Sequence, residues 1–577
     1  MATWKELEVR LAKGLTIDKL EMTLAEAERN RWREVLTRLV AIIPSLAERN
    51  IALRGSTDTL NKPDNGNFFK EVELMAKFDP IKKQHVGRVE SGTGSHTHYL
   101  GKIIQNELID SISTKILEKI LEDIKTSKYF SIILDCTPDL SHKEQLSVVV
   151  RIVSLEEELP QIKEHFMGFL VAEESTRESF SALILRRLQE LNIPFEDCRG
   201  QSYDNGANMK GKNKGVQARL LQLNSRAFFV PCGAHSLNLV VADAAKSSPD
   251  AISYFGYVAK LFKLFSTSTH RWYILLKHVK TTLKSWSETR WESRIDSIQA
   301  VRYQAGQVRE ALLEVRETTQ DPVVKVEAQS LAGEIGSYRF SICTVIWYDI
   351  LNKIQHVSKQ MQSPSMQLDV AVDILKKNRD SLDGYRNTGF SSAQATAKEM
   401  CEEMNVEAVI KQKRLRTTKR LGEVNDKFGV HLNFPNMSKE ELLEHCQTLS
   451  TALSHDGQPD IDCIELVLEM QNFPHLPSKN MTNIELLTFL HEKKLVEIFP
   501  NMWVALRISA TLPVTVAAAE RSFSKLKLIK NYLRSTKAQE RLSGLSVISI
   551  NHVVSQKLSY DDIIDDFAAR KARRVRL

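Results

Sequence analysis

The feature that most constrains the fold is a run of strand-like segments between residues 129 and 230. Three β-branched, apolar segments follow one another at residues 129–135, 145–153 and 162–171. Such closely spaced strands favour an antiparallel meander. Residues 179–191 then predict a helix, 199–203 a strand, 216–223 a helix and 226–230 a fifth strand. The order β-β-β-α-β-α-β is typical of a mixed sheet whose first strand lies at its centre, parallel to the fourth.

Helical periodicity dominates on both sides of this region. Apolar residues recur every three or four positions through residues 4–53 and 104–124, which predicts amphipathic helices. From residue 236 to about residue 500 nearly every segment is helical, with looser stretches near 363–364 and 410–420. The sequence therefore predicts an α/β protein with large all-α parts.

This pattern, together with the family resemblance described below, divides the chain into five predicted parts. They are an N-terminal helical region (1–125), the first part of the α/β core (126–245), the helical insertion (246–500), the second part of the core (501–560) and a basic tail (561–577).

Composition limits the class of protein. The chain has 577 residues, more than one simple core needs, and its formal charge of +7 (79 basic against 72 acidic residues) permits an anionic partner. Seven dispersed cysteines without a C-x-x-C pair favour reduced thiols in an intracellular protein. We expect neither a signal peptide at the charged N-terminus nor a membrane span.

Two aspartates follow neighbouring predicted strands. Asp135 ends the first strand and Asp204 ends the fourth, so the predicted topology brings both to one edge of the sheet. Carboxylate oxygens gathered in this way suit Mg²⁺, and a pair of such ions can promote phosphodiester cleavage. The alternative is that each aspartate caps the turn or helix that follows it.

Five motifs, in this order along the chain, resemble those of the hAT superfamily of transposases. The resemblance is strongest to domesticated or element-derived members that are similar to zinc finger MYM-type protein 1. The five motifs are DCTPD (135–139), SYDNGANM (202–209), PCGAHSLNL (231–239), TRW (289–291) and AAAERSFS (517–524). The resemblance extends over roughly residues 65–560. It implies an RNase H-like catalytic domain, a large helical insertion and a C-terminal dimerisation segment.

The resemblance also implies a catalytic and metal-binding triad of Asp135, Asp204 and Glu520. Its cofactor would be Mg²⁺ or Mn²⁺, as two ions, and its partners would be DNA and a second copy of the chain, in the nucleus. From the residues alone, Glu520 has a simpler explanation, because a glutamate early in a helix is favoured by the helix dipole and Arg521 could pair with it.

Further residues are candidates for DNA contact. Family members place the Cys232/His235 pair beside the catalytic centre and use the tryptophan that matches Trp291 to stack on a flipped base; Arg290 precedes it. A buried, satisfied Cys/His pair and a packed tryptophan are the alternatives, and packing is expected of Trp272, Trp347 and Trp503. The lysines that follow Asp204 can neutralise phosphates or form a solvated loop; they are Lys210, Lys212 and Lys214.

Two basic segments, 411–420 and 569–576, are either solvated, in contact with phosphates or signals for nuclear import. Near the C-terminus an apolar stripe needs a cover, from the chain's own N-terminal helices or from a second copy. It consists of Leu542, Leu545, Ile548, Ile550, Val553 and Val554.

The sequence departs from the family pattern in one respect, since no Cys/His array of a BED or TTF zinc finger occurs before residue 100. Two hypotheses follow. The first is a metal-dependent DNA nuclease and strand transferase. The second is a domesticated, non-catalytic dimer associated with DNA or chromatin.

Overall fold

The computed structural model describes residues 17–92, 98–174, 176–204, 209, 211, 215–285, 292–410, 438–473, 481–530 and 538–570. Before the sheet the chain forms four helices: α1 (Ile17–Glu48), α2 (Gly66–Ala76), α3 (Pro80–Ser91) and α4 (Lys102–Ser127). The α/β region follows, with β1 (Phe130–Pro138), β2 (Glu144–Ser154), β3 (Gln161–Ala172), α5 (Arg177–Glu190), β4 (Cys198–Ser202), α6 (Val216–Leu223) and β5 (Phe228–Phe229).

A long series of helices comes next: α7 (Gly233–Lys246), α8 (Pro249–Ser266), α9 (Thr269–His278), α10 (Glu292–Thr318), α11 (Pro322–Ile335), α12 (Tyr338–Met361), α13 (Leu368–Glu403) and α14 (Lys439–Ala452). A short hairpin, β6 (Ser454–His455) and β7 (Gln458–Pro459), separates these from the last elements. Those are α15 (Cys463–Gln471), α16 (Asn483–Glu492), α17 (Pro500–Thr511), α18 (Ala517–Ile529), α19 (Gln539–Ile550), α20 (His552–Ser555) and α21 (Tyr560–Ala569).

The five main strands form one mixed sheet in the order β3-β2-β1-β4-β5. The pairs β1–β2 and β2–β3 are antiparallel, whereas β1–β4 and β4–β5 are parallel. The predicted meander, central first strand and parallel fourth strand are therefore confirmed, as is the α/β class with large helical parts.

The prediction that β1 ends at Asp135 was wrong. β1 continues to Pro138, because its antiparallel pairing with β2 extends to Glu144. Asp135 lies inside the strand, opposite Ser147. The polar residue marks the point where the sheet becomes accessible and not the end of the strand.

Close approach of β1 and β4 requires a glycine in β4. A Cβ atom at Gly200 would lie 2.3 Å from Ser131 Oγ of β1 and 2.9 Å from Leu512 Cδ2. A side chain at this position would push β4 away from β1, and with it the segment that carries Asp204.

Four hydrophobic cores are present in the described residues, and the smallest joins the end of α12, the start of α13 and Val514. The first joins the N-terminal helices, the sheet and α18–α21. The second lies among α7–α13, and the third joins α14–α17 to Tyr129 and Val153 at the edge of the sheet region. The domain boundaries given above remain a prediction.

The C-terminal apolar stripe is largely covered within the chain. Leu542, Leu545 and Ile548 of α19 are buried, and α19 packs on α1, α4, α18 and β3. Val553, by contrast, is 56% exposed. The chain's own N-terminal helices therefore cover most of this face.

Part of the predicted basic tail is structured. Residues 560–569 form α21, whose Ile563, Ile564 and Phe567 are buried because the helix packs on α1 and α4. Residues 571–577 lie outside the described residues. In the described parts of the chain, no helix is both long and apolar enough to cross a membrane.

Candidate active site

The pairing of β1 with β4 brings Asp135 and Asp204 to neighbouring positions. Ile133 of β1 pairs with Ser202, the last residue of β4. Continuing this parallel register by two residues places Asp135 opposite Asp204. Both aspartates are half-buried.

Glu520 comes from a distant part of the sequence, on the exposed side of α18. This helix packs on β1 and β2, and a buried hydrogen bond of 2.8 Å joins the hydroxyls of Ser522 and Ser147. Because Ser147 is the β2 partner of Asp135, the contact fixes the first turns of α18 beside the strand that carries Asp135.

A second contact holds the other end of α18. Lys530 Nζ donates to Asp139 Oδ2 at 2.6 Å, and both side chains are almost fully buried. Asp139 also accepts from the Ser141 N–H and from Gln145. The second aspartate of the DCTPD motif thus anchors the helix and does not face the site.

The electrostatics of Asp135 reflect its neighbours. The pKa of Asp135 is raised to about 7, mainly by burial and also by the negative charges of Glu520 and Asp204, which together outweigh the opposing hydrogen bond from the Cys136 N–H. Both carboxylates are therefore near enough to act electrostatically on Asp135. The repulsion among the three acids favours a bound cation.

The oxygen donors of these three acids fit a hard cation such as Mg²⁺ or Mn²⁺. They do not form a closed ligand group, since no cluster of three His, Cys, Asp or Glu side chains able to hold a metal ion occurs in the described residues. The three acids therefore match such an ion in the chemical type of their donor atoms only.

Cys232 and His235 occupy the start of α7. Cys232 is buried and its sulfur accepts from the His235 N–H at 3.4 Å, so it caps the helix. The pKa of Cys232 is raised to about 11, mainly by burial, and the negative charge of Glu520 contributes to the rise. Cys232 is thus within electrostatic reach of Glu520, and its thiol caps α7. His235 is half-buried.

Arg521 contacts groups that sequence reasoning did not foresee. It donates to the Gln362 carbonyl at 3.1 Å and lies 3.8 Å from Glu164. Glu164 also pairs with the buried Arg151 at 3.0 Å, and Arg151 donates to the carbonyls of Pro364 and Met366. The segment between α12 and α13 is thereby attached to β2 and to the residue after Glu520.

Several predicted DNA-contact residues lie outside the described residues. These are Lys210, Lys212, Lys214, Arg290 and Trp291, together with 411–420. The expected packing of other tryptophans is seen: Trp347 contacts Phe255, Trp272 contacts Phe262, and Trp503 is buried.

Comparison with known families identifies two regions. The DUF4371 model, described as the ZMYM1/FAM200 RNase-like domain, matches residues 2–215. The model of the hAT family C-terminal dimerisation region matches residues 465–554, which include α18 and Glu520.

Two curated relatives are similar along most of the chain. Both are called "52 kDa repressor of the inhibitor of the protein kinase", one from Homo sapiens and one from Mus musculus. Each is 22% identical, over 95% of this chain and 78% of the relative.

The five-stranded mixed sheet, the helices around it and the acids at its edge indicate a protein with an RNase-like α/β domain and large helical parts. The two matched regions make the assignment more specific. Residues 2–215 match an RNase-like domain of the ZMYM1/FAM200 kind, and residues 465–554 match the hAT family C-terminal dimerisation region. The latter supports homo-oligomerisation.

Sequence reasoning missed the residues that support the site. Asp139, Lys530, Ser147 and Ser522 show no pattern that links them across almost 400 residues. Arg151 did carry a signal, because a lone arginine within a buried, β-branched strand must find partners for its guanidinium.

Proposed function

We propose that the chain is a DNA-binding protein whose RNase-like domain carries out metal-dependent phosphodiester cleavage and strand transfer. The observation that carries this proposal is the electrostatic proximity of Asp204 and Glu520 to Asp135 across the β1–β4 edge. The order of matched regions along the chain agrees with it.

In this proposal Asp135, Asp204 and Glu520 hold Mg²⁺ or Mn²⁺. When bound, two such ions supply activation of a water molecule and stabilisation of the leaving 3′ oxygen. The sheet contributes a rigid base, since Asp135 pairs with Ser147 of β2 and the preceding part of β1 pairs with β4 as far as Ile133. Ser147 and Lys530 hold α18, the helix that carries Glu520, beside β1 and β2.

Cleavage of hairpin-capable DNA by the full chain tests this function. Wild type should nick the DNA with Mg²⁺ or Mn²⁺ and lose the activity in EDTA. Asp204→Ala should abolish nicking without unfolding the protein, because the side chain is half-buried and leaves no core cavity.

Asp383→Ala is a matched control for this assay, since Asp383 is an exposed aspartate on α13. It should cleave as wild type does. Equal nicking by wild type and Asp204→Ala would reject the catalytic role.

A second function has support of its own. The relatives are named as a repressor of a protein-kinase inhibitor and not as a nuclease, which favours a domesticated, non-catalytic protein; in this second proposal the chain is a dimer associated with DNA or chromatin. The two functions differ in one observable: the second predicts DNA binding and a dimer without any nicking at saturating Mn²⁺. Either function implies a nuclear location, which imaging of the tagged full chain would test.

A further inference from the structure

The solvent face of α18 continues from Glu520 toward the C-terminal end of the helix. Glu520, Ser524 and Lys527 are exposed at spacings of four and three residues, so they lie on one side of the helix. The opposite side buries Phe523, Leu526 and Ile529 in the first core. The exposed stripe is therefore fixed in orientation by the packing of the other face.

Cations on this helix differ in how they are used. Arg521 is engaged by Glu164 and Gln362, and Lys530 by Asp139. Lys525 and Lys527, in contrast, have no carboxylate partner in the described parts of the chain. Among the described residues, two ammonium groups without a carboxylate partner thus lie on the helix that carries one of the three acids.

This distribution of charge matters for an anionic ligand. Three carboxylates at one edge of the sheet repel a phosphate, so a DNA strand needs cations nearby to approach them. Lys527 lies seven residues after Glu520, a helix rise of about 10 Å. That distance corresponds to about three base steps of a DNA strand at roughly 3.4 Å each.

We infer that Lys527 and Lys525, with the Ser524 hydroxyl, form a contact surface for the phosphates of the DNA strand that enters the site. Lys527 and Ser524 project from the exposed stripe, and the half-buried Lys525 flanks it. Phosphate contacts position the strand and carry no base preference. This surface rests on the proposed function for its ligand, but its test does not require cleavage.

The test is the salt dependence of binding to a fluorescent hairpin DNA, measured with the full chain in EDTA. The double variant K525Q/K527Q should bind about tenfold or more weakly at 0.1 M salt. When log affinity is plotted against log salt concentration, the slope for this variant should be less negative by nearly two. Each lost phosphate contact reduces the steepness of that slope by about 0.9.

The matched control is K77Q/K83Q, which removes the same charge from two exposed lysines of the N-terminal helices. It should leave the slope unchanged, and thermal melting should show both variants folded. Equal slopes for K525Q/K527Q and wild type would overturn the inference, as would an equal decrease in both double variants.

The two proposals fail separately. If K525Q/K527Q flattens the slope while wild type does not nick DNA with Mn²⁺, the DNA surface stands and the catalytic function falls. If wild type nicks DNA and the slope is unchanged in K525Q/K527Q, the catalytic function stands and the DNA surface falls.

Discussion

Lys530 Nζ lies 2.6 Å from Asp139 Oδ2, in a pair whose side chains are only 4% and 2% exposed. The two residues are 391 positions apart and join the end of α18 to the turn after β1. This contact ties the second half of the α/β core to the first. The contribution of this pair to the free energy of unfolding therefore reports how strongly α18 is bound to the rest of the core.

Breaking this pair should destabilise the protein strongly. We predict that Asp139→Asn lowers the free energy of unfolding by about 3–5 kcal/mol, because it leaves a buried ammonium without its carboxylate. Urea unfolding measures the change. Asp380→Asn serves as control, since its pair with Arg379 is about two-thirds exposed and should contribute about 1 kcal/mol or less. Similar losses in both variants would contradict the structural role.

The same pair predicts a dependence on acid. Burial disfavours the ionised carboxylate, but the hydrogen bonds from Lys530 and the Ser141 N–H prevail and hold the pKa of Asp139 below its ordinary value. Its contribution to stability is thus present above the unfolded pKa, about 4, and lost as pH falls through the lower folded pKa. The difference in the free energy of unfolding between wild type and Asp139→Asn should stay constant from pH 5 to 8 and decrease below about pH 4. A difference that decreases instead as pH rises would be inconsistent with this linkage.

The C-terminal stripe yields a prediction about folding and assembly. Deleting residues 541–577 should lower solubility and oligomeric mass, and it should also destabilise α1 and α4, because it removes their contacts with α19 and α21. Leu542→Asp should reproduce the loss of fold, whereas Val553→Asp, at an exposed site, should not. Circular dichroism and sedimentation velocity distinguish these effects. A full-length chain that stays monomeric at micromolar concentration would contradict homo-oligomerisation.

Trp291 remains a predicted base-stacking residue. Trp291→Ala should weaken binding to a flipped base or a hairpin by about 1–3 kcal/mol, the usual contribution of base stacking, and affect plain duplex much less. Trp291→Phe keeps an aromatic face and should recover part of the affinity. Fluorescence anisotropy with the two DNA forms gives the comparison; equal losses on both would remove the stacking role.

Local patterns predicted the elements well. Helix α6 was predicted at its observed bounds, 216–223, because the preceding Gly215 and the following Asn224 delimit the helix. The extent of β1 was underestimated, since continued pairing with β2 outweighs the polar character of Asp135.

The candidate site was predictable only in part. Asp135 and Asp204 lie on adjacent strands, and the order of strands and helices in the sequence was enough to predict that these strands are neighbours. Glu520 needed the family resemblance, because in the sequence it is equally well explained by the helix dipole. The contacts that hold α18, Ser147 with Ser522 and Asp139 with Lys530, connect residues that only the tertiary structure brings together.

The central claim is that Asp135, Asp204 and Glu520 share a metal site. Anomalous diffraction from crystals of the full chain soaked in Mn²⁺ tests it most directly, without relying on catalysis. The account predicts anomalous peaks bound by these three carboxylates, with two ions about 3.5–4 Å apart, and loss of the peaks in Asp204→Ala. Saturating Mn²⁺ that leaves this edge of the sheet without anomalous density, in crystals where all three side chains are ordered, would contradict it.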